Sequence, residues 1–133
     1  YAERIGPHAL PYLNQLRRII DAGLPVAASM DWGPTNPWEQ MQLAVTHEMW
    51  PSRRRNDGLA QVVTRAEAFD MWTASGAKVL NWAGIGGLAR DAHADLAILD
   101  RNPVTCDLEA LPATRVLRTV VGGRTVYDGG ALS

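Results

Sequence analysis

The sequence predicts an α/β chain in two parts: helix, strand, helix and helix over residues 1–84, then a β-rich segment over residues 85–133. Three observations predict it. In the first part, apolar residues recur at helical spacing behind recognisable caps. One short run, 25-PVAASMDWGPTNP-37, alternates as a strand does and ends on an acid. After Gly84, Gly86 and Gly87 the pattern changes to short aliphatic runs, with a hairpin signal between the last two.

Pro11 opens the first helix, at a first-turn position where its missing N–H costs nothing. Leu13, Leu16 and Ile20 follow at helical spacing, and Gly23 stops the element. Residues 24–30 form the expected strand. Alternation places Ala27, Ser29 and Asp31 on one face and Val26, Ala28 and Met30 on the other, which is the face suited to packing under helices. The second helix starts at Asn36-Pro37-Trp38-Glu39, where Asn36 caps, Pro37 takes the first position and Glu39 stands where a capping-box acid reaches back. Its apolar stripe is Trp38, Met41 and Val45, and Pro51 requires it to end near Trp50. The segment 51-PSRRRNDG-58 reads as a surface loop. Thr64-x-x-Glu67 has capping-box spacing and announces a third helix running to Asn81, with Ala68, Met71, Trp72 and Ser75 on one side. Strands are expected in 95-DLAILD-100, 115-RVLRTVV-121 and 124-RTVYD-128, the last two joined by Gly122-Gly123.

Composition narrows the function classes. A chain of 133 residues with 47% apolar and 20% charged side chains is long and apolar enough to bury a core. Thirteen basic against fourteen acidic side chains leave a net charge of -1, which gives no reason to expect a nucleic-acid or anionic-membrane partner. The run 53-RRR-55 reads as solvated loop. A single cysteine, Cys106, excludes an internal disulfide framework and fits a reducing, cytoplasmic compartment. No apolar run approaches the roughly 18 residues of a membrane span, and no basic-then-apolar leader is present. The chain opens on Tyr1 rather than Met, which reads as a processed or truncated chain.

Several catalytic motifs fail on inspection. His47-Glu48 is half of a zinc-protease signature, but Pro51 stands where the second His belongs. Gly84-Ile85-Gly86-Gly87 neither follows a strand nor opens a helix, so it is no dinucleotide loop. No G-x-S-x-G surrounds Ser29 or Ser75, and Cys106 has no His nearby in sequence. His8 and His93 read as surface or turn residues. Trp38 reads as core, and Trp50, Trp72 and Trp82 as core or interface. On pattern alone, Asp31 ahead of Gly33-Pro34 suits a turn former or cap.

The stretches DAGLPVAASMDW, NPWEQM, TRAEAFDMWTASGAKVL, GGLARDAHADLAILDRNP and LRTVVGGRTVYDGG, in that order, resemble the C-terminal part of the amidohydrolase superfamily. The resemblance is strongest to the branch called amidohydrolase family 3, which includes formamide-deformylase-like enzymes. It spans essentially the whole chain, and ADLAILDRNP and VVGGRTVYDGG carry it most specifically. It implies the C-terminal fragment of a (β/α)8 metal-dependent hydrolase barrel followed by part of a small β-sandwich. Residues 1–84 would then hold the last strand and C-terminal helices of the barrel, and residues 85–133 the C-terminal share of the composite sandwich.

In such barrels the functional groups stand at the C-terminal ends of strands. The resemblance therefore gives Asp31 both a catalytic and a metal role. Family members use the corresponding acid to bind a divalent metal, zinc here, to take the proton of the attacking water, and to pass it to the leaving nitrogen. The implied substrate is a small-molecule amide with a non-peptide C–N bond, and Trp32 would line its pocket. Two departures stand out. Asp91-Ala92-His93 replaces the usual Pro-Gly-Lys turn, where Gly tolerates a positive φ that Ala92 does not. Met30-Asp31-Trp32-Gly33 replaces Ser-Asp-Trp-Pro.

The family's other ligands, a His-x-His and then a carboxylate or lysine and two more histidines, have no counterpart among His8, His47 and His93. One carboxylate cannot hold zinc, which takes three protein ligands at a catalytic site. These residues alone are therefore expected to bind no metal and to be inactive. The alternative is a non-catalytic relic or interaction module. Under either reading, an unpaired strand at 24–31 leads to self-association.

Overall fold

The computed structural model describes residues 2–31, 35–49, 52–56 and 58–130. In chain order these are α1 (Ala2–Ile5), a 3-10 turn (Pro7–Tyr12), α2 (Leu16–Asp21), α3 (Pro37–Thr46), the strands β1 (Glu48–Met49) and β2 (Arg54–Arg55), and a 3-10 turn at Leu59–Gln61. Then follow α4 (Arg65–Asp70), α5 (Ala74–Val79), β3 (Leu96–Leu99), a 3-10 turn (Leu108–Ala113), β4 (Val116–Val121) and β5 (Arg124–Asp128). β1 and β2 make a two-stranded antiparallel sheet, and β3-β4-β5 an antiparallel sheet of three. The class is mixed α/β. Among the described residues no helix is long and apolar enough to cross a membrane.

The first helix starts later than its Pro suggests. Pro11 lies inside the 3-10 turn, and Asn14 at φ 54 interrupts the chain, so α2 begins only at Leu16. Its end follows the expectation. Gly23 at φ 74 donates to the Ile20 carbonyl at 2.8 Å and Leu24 to that of Ile19 at 3.3 Å, which is a Schellman motif.

Asn36 caps α3 by accepting the Trp38 N–H at 2.9 Å, while Glu39 makes no reciprocal bond among the described residues. The helix stops at Thr46 rather than near Trp50, because His47 turns left-handed at φ 53. Trp50 and Pro51 lie outside the described residues. What reads as a loop contains a hairpin, pairing Glu48 with Arg55 and Met49 with Arg54. The Glu48 carboxylate bridges Arg53 and Arg55, so the arginine run is paired with an acid.

The capping box of α4 is complete. Thr64 Oγ1 accepts the Glu67 N–H at 3.2 Å, and Glu67 Oε2 accepts the Thr64 N–H at 2.8 Å. The helix does not run through to Asn81 in one piece: Thr73, at φ -127 and ψ -104, separates α4 from α5. Its hydroxyl donates to the Phe69 carbonyl at 3.1 Å, the back-bonding that bends helices at Thr. Gly86 must be glycine on two counts. Its φ is 85, and a Cβ would stand 2.8 Å from that of Ala77. In the Asp91-Ala92-His93 turn the positive φ falls on Asp91, at 65, and not on Ala92. Asp tolerates that region better than Ala does.

Gly122 and Gly123, at φ 55 and 76, close the β4–β5 hairpin as a primed turn requires. Asp100 ties the end of β3 to the start of β4. Arg101 and the Arg115 N–H donate to its carboxylate at 2.9 and 3.0 Å and hold it well below the usual carboxylate range.

The core gathers around α3. Met41, Val63, Ala68 and Leu111 are buried together, with Trp38 and Val45 packed against them. Leu111 arrives from beyond residue 84 on the 3-10 turn, which Asn36 and Gln42 hold by donating to the Pro112 and Leu108 carbonyls at 2.8 and 3.0 Å. On the opposite flank Arg17 grips Glu67 at 2.8 Å. That ion pair and the Thr64 N–H lower the Glu67 pKa to about 2. The charged acid thus stabilises the fold fully above its ordinary value of 4.5, and the contribution drains away as pH falls from there toward 2. Glu67→Gln is expected to cost about 1–2 kcal/mol at pH 7. The deficit should shrink at acid pH in urea unfolding, and an undiminished one would refute the linkage.

Candidate functional site

Residues 24–30 run extended, but among the described residues they pair with no strand. A ladder needs a neighbouring strand, and helices stand there instead. The Val26 N–H donates to Ser75 Oγ at 3.0 Å, and the Ala28 N–H to the Met71 carbonyl at 3.0 Å. The break before α5 is what frees that carbonyl: no N–H four residues on claims it. The N–H groups of Ala27 and Ser29, on the opposite edge, bond no described residue.

The alternation is realised in burial. Val26 and Ala28 pack against the core, while Ala27, Ser29 and Asp31 are exposed. Met30, expected on the inner face, is 42% exposed. Asp31 therefore stands at the end of an extended run whose open face carries only small side chains. It makes no hydrogen bond or ion pair among the described residues. Trp32, the expected pocket wall, lies outside the described residues. Trp38 is half-buried in the core.

Metal-ligand chemistry does not assemble here. Among the described residues no three His, Cys, Asp or Glu side chains come together in a group able to hold a metal ion. His8 and His93 are exposed on other elements, and His47 is buried at the end of α3. One carboxylate falls short of a zinc site's three protein ligands. A cleft of about 550 Å³ does border the segment, but on its other side, between Ile20, Leu24, Val26, Met71 and Lys78, with Asp31 outside it.

Two residues acquire roles the sequence did not disclose. The buried hydroxyl of Ser75 anchors the run that presents Asp31, by accepting the Val26 N–H. Motif spacing cannot reveal that, because the partner lies 49 positions away. His47 is buried, and among the described residues neither ring nitrogen has a hydrogen-bond partner; its one local signal is the switch from helical to strand-like residues after it.

A family model described as the amidohydrolase family matches residues 1–127. The N-substituted formamide deformylase of Arthrobacter pascens is 32% identical over 119 residues, which is 87% of this chain and 22% of that protein. The chain thus spans less than a quarter of the length of the curated relative it matches. No solved structure gives a significant match.

Proposed function

Because this chain belongs to the amidohydrolase family, we propose that it forms part of a hydrolase that cleaves an amide-type, non-peptide C–N bond in a small molecule. N-substituted formamides are the substrate class taken from its relative. The observation that carries the reading is the match across residues 1–127, with Asp31 open at the end of an extended run. In this reading residues 1–84 are the last strand and C-terminal helices of a (β/α)8 barrel, and residues 85–133 a share of a β-sandwich. The unclaimed edge of residues 24–30 and the sheet β3-β4-β5 support it.

Asp31 is the proton carrier. A positioned carboxylate can accept the proton of an attacking water and return it to the leaving nitrogen. Trp32, next in sequence, forms an apolar wall for the nitrogen substituent. The dependence on a divalent metal, zinc, that goes with this reading needs donors beyond the described residues.

A second reading, a non-catalytic module, is favoured by the apolar side chains left in water: Leu24, Met30, Leu80, Trp82 and Leu88 are all exposed. One experiment separates the two. The 133-residue chain and a longer protein that supplies the rest of the barrel are each assayed for metal and for formamide release, with light scattering on the shorter chain. Turnover and metal in the longer protein, with a self-associated, inactive shorter chain, is the expected result. No turnover of any N-acyl substrate by the longer protein would overturn the hydrolase reading, and a monodisperse monomer the self-association.

A further inference from the structure

The cleft of about 550 Å³ beside residues 23–26 is built differently from the small-residue face that leads to Asp31. Ile20, Leu24, Pro25, Val26 and Met71 make its apolar side, and Leu24 is 59% exposed. Its size falls within the range of small-molecule sites. Packing accounts for the apolar side. It does not account for the polar groups that share the lining.

Glu67, Asp70, Ser75 and Lys78 all line the cleft, and Glu67 alone is fully spent on the fold, held by Arg17 and by the Thr64 N–H. Ser75 is 9% exposed, and its Oγ accepts the Val26 N–H at 3.0 Å. A hydroxyl also donates, and no acceptor among the described residues takes the Ser75 proton. Lys78 follows three positions along α5, so the two side chains share one face of the helix. Lys78 makes no hydrogen bond or ion pair among the described residues. Neither does Asp70, which is half-buried at the last position of α4. The C-terminal end of a helix disfavours an acid, so α4 gains nothing from Asp70 there.

We propose that this cleft binds a small apolar zwitterion, a molecule with one carboxylate and one amine on an aliphatic body. Ser75 and Lys78 donate to the carboxylate, Asp70 accepts from the amine, and the body lies against Leu24, Val26 and Met71. A carboxylate accepts from both a hydroxyl and a lysine head, the two donors that α5 sets side by side. A plain acid would face Asp70 with nothing to offset it, and a plain amine would face Lys78. The aliphatic body covers apolar surface otherwise left to water. Asp31 lies outside the cleft and takes no part.

The test is isothermal titration calorimetry of the 133-residue chain with three probes that share an isobutyl body. Leucine carries both charged groups, 4-methylpentanoate only the acid, and 3-methylbutylamine only the amine. Leucine should bind with a dissociation constant of about 1 mM or tighter, and each single-ended probe about tenfold or more weakly. Asp70→Asn and Lys78→Gln should keep the melting temperature and each weaken leucine about tenfold or more. Amide NMR shifts over residues 20–26 and 66–78 should move with leucine. No saturable binding of leucine by about 10 mM, a single-ended probe that binds equally well, or leucine affinity unchanged in either variant would each overturn the proposal. Shifts confined to other residues would overturn it too. Should a variant fail to fold, the three probes on the wild-type chain decide, because they test both ends of the ligand.

Discussion

Asp31→Asn in the longer protein is expected to lower kcat about 10²–10⁴-fold, the range that a positioned proton carrier contributes. The carboxamide keeps the shape of the side chain but cannot take a proton from water. The substitution should leave the fold intact, because Asp31 is exposed and bonds nothing among the described residues. Surface changes of that kind stay within about 0.5 kcal/mol. The check pairs kcat on an N-substituted formamide with thermal unfolding of the same sample. Wild-type turnover in the variant would return Asp31 to the turn former that its position before Gly33-Pro34 suggests. A collapse of activity together with a lowered melting temperature would mean that the residue acts through the fold, which contradicts its exposure.

Leu111→Ala is expected to destabilise the chain by about 2–5 kcal/mol, a large part of the total for a small domain. Leu111 is 0% exposed and packs in the same cluster as Met41, Val63 and Ala68. Truncation there removes apolar contact and leaves a cavity among residues from both sides of position 84. Urea unfolding of both proteins gives the difference, with the slope m held in common. A loss under about 1 kcal/mol would show that the 3-10 turn merely rests against α3 and that the helical part carries its own core.

The sequence signals that hold up are short-range. Asn36 caps a helix two residues away, Thr64 and Glu67 complete each other's bonds three apart, Gly23 reverses the chain after α2, and Gly122-Gly123 turns one strand into the next. In each case the donor, the acceptor and the required φ sit within one turn of chain. Where these signals mislead, a longer-range or sterically subtler term wins. Pro11 marks a first turn that Asn14 ends, Thr73 divides what periodicity joins, and His47 stops α3 before Trp50. Residues 24–30 have the alternation of a strand, but a strand also requires a partner.

The sequence by itself determined the family, the caps and turns, the three C-terminal strands and the acid at position 31, because each is written in neighbouring residues or in a stretch of shared pattern. Only the tertiary structure decided what holds the run ahead of Asp31 in place, and that His47 is buried with no hydrogen-bond partner among the described residues. Those depend on groups far along the chain. Ser75 and Met71 lie more than forty residues from the segment they anchor, and Leu111 completes a core whose other buried members end at Met71. Burial and hydrogen-bond satisfaction are properties of that packing and have no local spelling in the chain.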